Sequence, residues 1–170
     1  VIGYEADKII KKKIKRCRFV ENVNFENTGD YEQIRLGLNN IEGGNVLIIN
    51  GDLYFNSTSF NTVLQNHSNI QVTKNTNAKL EIGVNDVDGN LSILSYGLDT
   101  KFWTEFAFFT EPELTKLKEI VFDRTKNKLL FMEAINNVIE NGGEFKTYTN
   151  NDSSLFKIES ITDIKAVKTI

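Results

Sequence analysis

A short apolar run that stops at a glycine and an acid most constrains the fold of this chain. Residues 45–55 read NVLIINGDLYF, and four apolar residues in a row are too few for a buried helix. Polar or glycine residues bound the run on both sides, which predicts a buried, central β-strand over residues 45–50. Asp52 follows the carboxyl end of this strand, where open α/β sheets bind ligands and where a carboxylate can hold a divalent cation. A turn-capping role for Asp52 is the alternative.

The segments before this strand alternate between strand-like and helix-like patterns. Asp30 has Gln33 three residues later, a pair that is typical of a helix start. The predicted order is a strand end at residues 1–4, a basic helix at 6–17, a short strand at 18–20, the Asp30 helix ending at Gly43-Gly44, and the strand at 45–50. This β-α-β-α-β order predicts a parallel sheet with helices on its faces.

The rest of the chain predicts a hairpin, further strands and more helices. Alternating apolar residues around Asp88-Gly89 predict a β-hairpin over residues 80–94. The sequence Thr110-Glu111-Pro112-Glu113 predicts a capped helix start, and so does Ser160 with Asp163. The other predicted elements are helices at 57–65 and 128–140 and strands at 70–73, 102–109, 145–148 and 155–158.

Composition argues against several classes of protein. A length of 170 residues predicts a single domain, residues 1–170. A net charge of −3 argues against a nucleic-acid or anionic-membrane partner, and no apolar run is long enough to span a membrane. Cys17 is the only cysteine, so no intrachain disulfide can form and a cytoplasmic location is expected. His67 is the only histidine, which argues against a histidine metal cluster or a catalytic triad.

Two acids directly follow predicted strands. Asp52 comes after residues 45–50, and Glu159 comes after the strand at 155–158. If the two strand ends meet at one edge of the sheet, both carboxylates can share a magnesium ion, which favours one or two protein carboxylates plus substrate phosphates. Surface exposure or helix capping is the alternative role for Glu159. Spacing along the sequence leaves this choice open.

The sequence around these acids resembles a known family. The run VLIINGDLYF, the upstream segments Phe19-Val20-Glu21-Asn22 and Thr28-Gly29-Asp30, the opening VIGYEADKI and the closing KIESITDI carry the resemblance. They resemble the nucleotidyltransferases that join a nucleoside triphosphate to a sugar phosphate or to phosphocholine. The resemblance covers nearly the whole chain. The closing segment stands at the position along the chain that the family pattern requires, which makes the resemblance more specific than Asn50-Gly51-Asp52 alone would.

The resemblance implies a fold and a set of site residues. The fold is an α/β, Rossmann-like one of the nucleotide-diphospho-sugar transferase type, with a mixed, mainly parallel sheet and helices on both faces. Mg²⁺ would be held by the catalytic pair Asp52 and Glu159, although the family more often has aspartate at the second position. Nucleotide-binding residues would be Thr28, Gly29, Asn50 and Gly51, and acceptor-binding residues Trp103 and Glu105. An aromatic face beside an acid suits a quaternary ammonium through cation–π attraction, but the residues themselves favour a core role for this aromatic strand.

The reaction that the resemblance implies is nucleotidyl transfer. A phosphate oxygen of phosphocholine or of a sugar phosphate attacks the α-phosphorus of a nucleoside triphosphate, with CTP favoured, and pyrophosphate leaves. No covalent enzyme intermediate is required, so positioning and charge neutralisation carry the catalysis.

One segment of the family has no counterpart in these residues. It is the amino-terminal strand followed by a glycine-rich loop that binds the triphosphate. The expectation is therefore an amino-terminally truncated chain with little transferase activity and a gap in its sheet between residues 1–4 and 45–50. The gap either closes directly or leaves an exposed strand edge, and we expect a homodimer formed by pairing or exchanging sheet elements.

Two other functions compete with the enzyme. A non-catalytic nucleotide-binding or assembly domain of the same fold agrees with the missing loop and with the glutamate at position 159. A glycosyltransferase that uses a nucleotide-sugar shares the sheet and the metal chemistry, but such enzymes usually bind their metal through an Asp-x-Asp pair. The sequence Asp52-Leu53-Tyr54 lacks that pair.

Overall fold

A mixed sheet forms the centre of the molecule. The computed structural model describes residues 1–56, 65–74, 80–150 and 155–167, and the helix predicted at 57–65 falls outside this part except for its last residue. The sheet contains β1 (Val46–Ile49), β3 (Asn69–Thr73), β4 (Ile82–Val87), β5 (Asn90–Tyr96), β6 (Phe102–Phe109) and β7 (Lys146–Thr149). A separate two-stranded pair joins β2 (Leu53–Tyr54) to β8 (Phe156–Lys157).

The strand order across the sheet is β1-β6-β3-β7-β5-β4. Because β1 and β3 both pair antiparallel with β6, and β7 runs parallel to β3, the strands β1, β3 and β7 share one direction. The mixed sheet is as predicted, but among its described strands only β3 and β7 pair in parallel. The predicted hairpin is β4 and β5, with Asp88 and Gly89 at positive φ as a two-residue type I′ turn requires.

Three helices pack on one face of this sheet: α2 (Asp30–Leu38), α3 (Glu113–Val121) and α4 (Phe131–Glu140). The other described α-helices are α1 (Ala6–Ile10) and α5 (Ile161–Val167). Apolar residues of α2, α3 and α4 form the main core with alternate residues of β6, among them Ala107 and Phe109. Phe106 points to the opposite face and packs with Leu53, Leu80 and Leu155 in a second, smaller core. In the part of the chain that the structure describes, no helix is both long and apolar enough to cross a membrane.

The basic helix predicted over residues 6–17 is shorter than expected. Helix α1 ends at Ile10, and the backbone takes positive φ at Lys13 and Arg16, which no regular helix allows. The predicted apolar stripe does not pack, since Ile10 is 42% and Ile14 is 54% exposed. A short helix without a packed apolar face is stabilised only by the intrinsic helix propensity of its residues, which is marginal in water.

Two predicted helix caps make other contacts instead. Asp30 is the first residue of α2 rather than its cap, and its Oδ2 accepts the Phe131 backbone N–H at 3.0 Å, at the start of α4. Glu113 closes no capping box: its side chain is buried and Oε2 accepts the Ser68 hydroxyl at 2.8 Å. Both acids therefore link distant segments. The Ser160 start is confirmed, with Asp163 accepting the Ser160 N–H at 2.9 Å.

β1 is an edge strand and not the central strand that its sequence predicts. It pairs with β6 on one side only, and the described residues contain no strand on its other side. The opening segment forms a single parallel bridge, Ile2 to Glu21. A groove of about 450 Å³ runs along the open edge, lined by β1, Val1, Ile34, Leu38, Phe131 and the polar residues Asp30 and Asn50. Among the described residues, the edge of β1 that faces away from β6 is therefore open.

Candidate functional site

The carboxyl end of β1 holds two carboxylates around one ammonium group. The Lys157 ammonium, on β8, lies 2.8 Å from Oε1 of Glu105 and 3.7 Å from Oδ2 of Asp52. The Asn50 side-chain amide donates to Oε2 of Glu105, so both oxygens of that carboxylate have a partner. Glu105 is 2% exposed and Asp52 is 43% exposed. The cluster therefore extends from the inside of the sheet out to solvent.

A distortion of β6 aims Glu105 at this cluster. Ile70 pairs with Ala107 and Val72 with Trp103, so residues 104–106 of β6 lie opposite one residue of β3. Within this bulge Glu105 has φ 62°, a left-handed conformation that a non-glycine residue rarely adopts. Bulges re-aim side chains, and backbone strain concentrates at functional sites. The position of the Glu105 carboxylate is thus a property of the fold and not of a flexible surface loop.

Lys157 remains charged over the whole physiological pH range. Burial by itself would lower its pKa, but the hydrogen bond and charge of Glu105, with the charges of Asp52 and Glu81, raise that pKa above its usual value. The charge of this ammonium is fixed by its two neighbouring acids. At neutral pH the cluster therefore carries one permanent positive charge among its carboxylates.

The closing segment adjoins the end of β1, as the metal hypothesis requires. β2 pairs antiparallel with β8, and the Ile158 backbone N–H donates to the Asp52 carbonyl at 2.7 Å. Glu159 follows on the exposed side, and its backbone N–H donates to Asp163 at 3.0 Å. The two segments that carry Asp52 and Glu159 thus lie side by side. A metal ion shared by their carboxylates stays a prediction.

Thr28 and Gly29 lie at the start of α2 and hold local structure. The Thr28 hydroxyl accepts from the Asn22 side-chain amide at 2.9 Å and donates to the Asn24 carbonyl at 3.1 Å. A Cβ at Gly29 would lie 2.7 Å from the Lys128 carbonyl oxygen, so only glycine fits this close approach. These contacts account for both residues without a nucleotide. Nucleotide binding by Thr28 and Gly29 stays a prediction. The next residue along the chain, Asp30, lines the groove beside β1.

Trp103 lies in the main core. It is 1% exposed, its ring packs edge-to-face on Phe131 at 5.0 Å, and its Nε1 donates to the Phe106 carbonyl at 2.9 Å. An acceptor could touch this ring only if the core opened. The core role that the aromatic residues of this strand predict therefore applies to Trp103. Glu105, on the same strand, instead reaches the site.

Only one side of Asp52 is open to a magnesium ion. Magnesium takes six oxygen ligands at about 2.0–2.1 Å and is often held by one or two carboxylates together with substrate phosphates. Asp52 and Glu159 are both exposed to solvent, and their binding of such an ion stays a prediction. The inner side of Asp52 faces the Lys157 ammonium. Among the described residues no group of three or more histidine, cysteine, aspartate or glutamate side chains is arranged to bind a metal.

Lys157 is the site residue that sequence reasoning missed. A signal was present, because a lysine inside a short apolar strand needs an acidic partner if its ammonium group is buried. Lys157 also precedes Glu159 by two residues, the spacing that places side chains on the same face of a strand. Which acid it meets depends on the bulge in β6, and no local pattern in the sequence specifies that bulge.

Solved structures of nucleotidyl-transfer enzymes share this fold. The inositol-1-phosphate CTP transferase from T. maritima superposes with a TM-score of 0.80 at 17% identity, over 99% of this chain and 73% of that chain. The CTP:phosphocholine cytidylyltransferase from Streptococcus pneumoniae gives a TM-score of 0.76 at 14% identity, over 96% and 73%. A nucleoside-diphosphate-sugar pyrophosphorylase from Vibrio cholerae RC9 gives 0.70 at 12% identity, over 98% and 77%.

No protein-family model and no curated protein sequence matches this chain. At identities of 12–17% the structural likeness establishes the fold alone. The chain therefore has the Rossmann-like fold of the nucleotidyltransferases, as its sequence motifs predict.

Proposed function

We propose that this chain is a nucleotidyltransferase domain that binds a nucleoside triphosphate at the carboxyl end of β1. The observation that carries the proposal is the exposed Asp52 beside Lys157, at the strand end where α/β sheets of this kind bind ligands. The fold shared with two CTP-using transferases supports it. Both of these enzymes use CTP and one of them uses phosphocholine, which supports CTP as the nucleotide and phosphocholine as the acceptor. The fold shared with a nucleoside-diphosphate-sugar pyrophosphorylase supports a sugar phosphate as the other acceptor.

The proposed reaction is an in-line substitution at phosphorus. A phosphate oxygen of the acceptor forms a bond to the α-phosphorus, the bond from that phosphorus to the bridging oxygen breaks, and pyrophosphate leaves. Asp52, Lys157 and Asn50 orient the reacting groups at the strand end, and the Lys157 ammonium offsets negative charge there. A magnesium ion bound with the nucleotide, held by Asp52 and Glu159, would neutralise charge on the phosphates.

Isothermal titration calorimetry tests the proposal through Asp52. We expect CTP to bind the wild-type chain in the presence of Mg²⁺ and to bind at least tenfold more weakly when Mg²⁺ is removed by EDTA. Asp52→Ala should abolish the magnesium-dependent part, because it removes the exposed carboxylate of the site.

Glu119→Ala is the matched control, since Glu119 is an exposed acid on α3. It should bind CTP like the wild type. Binding that is unchanged in Asp52→Ala, or lost equally in both variants, would contradict the proposal.

An assembly domain that binds nucleotide without turnover is the second candidate, favoured by the open edge of β1. Pyrophosphate release separates the two. Magnesium-dependent CTP binding without release of pyrophosphate from CTP and phosphocholine, or from CTP and a sugar phosphate, would support the assembly domain. Rapid release would support the enzyme.

We further propose that the chain forms a homodimer through the edge of β1. An exposed edge strand presents unpaired backbone groups to a second chain, and the adjoining groove is lined largely by apolar side chains. Light scattering should give twice the 19.4 kDa mass of one chain. Val46→Lys, which puts a charge on this edge, should shift the mass toward the monomer while circular dichroism shows a folded chain, a check that is needed because Val46 also packs against the main core.

Val87→Lys is the matched control for this prediction. Val87 is 62% exposed at the end of β4, on the opposite edge of the sheet, so its replacement should leave the mass unchanged. A monomeric wild-type chain, or an effect of Val87→Lys equal to that of Val46→Lys, would contradict this interface.

A further inference from the structure

The two carboxylates at the end of β1 share one ammonium group. Glu105 is 2% exposed, and a buried carboxylate needs a compensating charge and hydrogen bonds. Lys157 supplies the charge at 2.8 Å, and the Asn50 amide supplies a donor to the second oxygen. On the other side of the ammonium, Asp52 Oδ2 lies 3.7 Å away. The ammonium therefore lies between the buried acid Glu105 and the exposed acid Asp52.

The backbone holds Lys157 in this place. Lys157 pairs with Leu53 across the β2–β8 ladder, and Ile158, its neighbour, donates to the Asp52 carbonyl at 2.7 Å. Glu105 is fixed by the bulge in β6. Both partners are thus set by strand geometry rather than by a chance rotamer on the surface.

We propose that Lys157 is a built-in cation, which occupies the position between Asp52 and Glu105 that would otherwise bind a divalent metal ion. A metal ion and an ammonium group cannot share that position, since both need the same carboxylate oxygens and repel each other. Lys157 thereby confines any metal ion to the outer side of Asp52. It also offsets the negative charge of both acids at this strand end, where the phosphates of a nucleotide would lie next to the exposed Asp52.

This inference concerns the site of the proposed function, but its test uses neither nucleotide nor transfer. Removing the ammonium should leave the exposed Asp52 side chain free to turn toward the fixed Glu105 carboxylate, so that both bind one ion, with Asn50 beside them. The Lys157→Ala variant should therefore gain a binding site for a divalent cation. A failure of nucleotide binding would leave this expectation unaffected, so the two proposals stand or fall separately.

The test is a Mn²⁺ titration followed by electron paramagnetic resonance, without nucleotide. Lys157→Ala should bind one equivalent of Mn²⁺ at least tenfold more tightly than the wild type. Lys157→Arg, which keeps the charge, should bind like the wild type. Adding Asp52→Asn to Lys157→Ala should abolish the gain. Lys101→Ala is the matched control, because Lys101 pairs with the single acid Asp86 and its removal should create no such site.

The Tm of the same variants, measured by thermal unfolding, tests the inference even if Lys157→Ala folds poorly. If Lys157→Ala is destabilised by its unpaired buried carboxylate, saturating Mn²⁺ should restore its Tm and should raise the wild-type Tm far less. A Lys157→Ala protein that binds Mn²⁺ no more tightly than the wild type would overturn the inference. So would one that stays unfolded at every Mn²⁺ concentration, or a gain that also appears in Lys101→Ala.

Discussion

Truncating Phe131 to alanine is expected to lower the free energy of unfolding by about 3–5 kcal/mol. Phe131 is 2% exposed at the start of α4 and packs edge-to-face on Trp103 at 5.0 Å and against Phe109 at 6.4 Å. The truncation loses the apolar transfer energy and leaves a cavity beside the groove. Trp103 is the only tryptophan and touches the changed site, so its fluorescence in urea reports the unfolding directly.

An exposed phenylalanine provides the comparison for Phe131. Phe122, which follows α3, is 42% exposed, and Phe122→Ala should lower the free energy of unfolding by less than about 1 kcal/mol. Equal effects of the two truncations would mean that Phe131 is not part of the packed core. Helix α4 would then not be anchored to β6 as the structure has it.

Replacing Glu105 by alanine is expected to lower the free energy of unfolding by about 3 kcal/mol. Removing one partner of a buried ion pair leaves the other charge uncompensated, and the partial exposure of Lys157 keeps the effect at the low end of the usual range. Alanine keeps the positive φ at position 105, so the loss reports the missing carboxylate and not relief of strain. Glu105→Gln, which keeps the shape, should lose less, and urea denaturation measures all three proteins.

The effect of Glu105→Ala should depend on pH in a defined direction. Since the pKa of Lys157 is raised in the folded state, its pairing stabilises the protein fully below the unfolded-state lysine pKa of about 10.4. That contribution is lost as pH rises through the folded-state pKa. The difference between the wild type and Glu105→Ala should be constant from about pH 7 to 9 and should shrink above about pH 10.5. A difference that grows with pH would contradict the ion pair.

Strong local patterns were enough to predict most of the strands. The alternation around Asp88-Gly89 specifies its hairpin, and the apolar run at residues 46–49 is β1 as expected. The edge position of β1 did not follow, because a strand's neighbours depend on which distant segments pair with it. For the same reason the helix predicted over residues 6–17 was too long. Its apolar residues Ile10 and Ile14 have no surface to pack on.

The candidate site was predictable only in part. Asn50-Gly51-Asp52 and the closing segment do meet, because the carboxyl end of β1 and the β2–β8 pair are adjacent in the fold. Lys157 was missed, since its partner Glu105 is brought in by a bulge in a strand 52 residues away in sequence. Long-range pairs of this kind arise from tertiary geometry, and residue spacing does not encode them.

The most direct test of the proposed function is a ¹H–¹⁵N correlation spectrum of the labelled chain titrated with CTP and Mg²⁺. If nucleotide binds at the carboxyl end of β1, the largest amide shifts will fall on residues 50–53 and 157–160. The shallow hollow lined by Lys116, Glu119, Asp123 and Lys126 should stay unchanged. Shifts confined to that hollow, or no saturable shifts at all, would contradict nucleotide binding at the carboxyl end of β1.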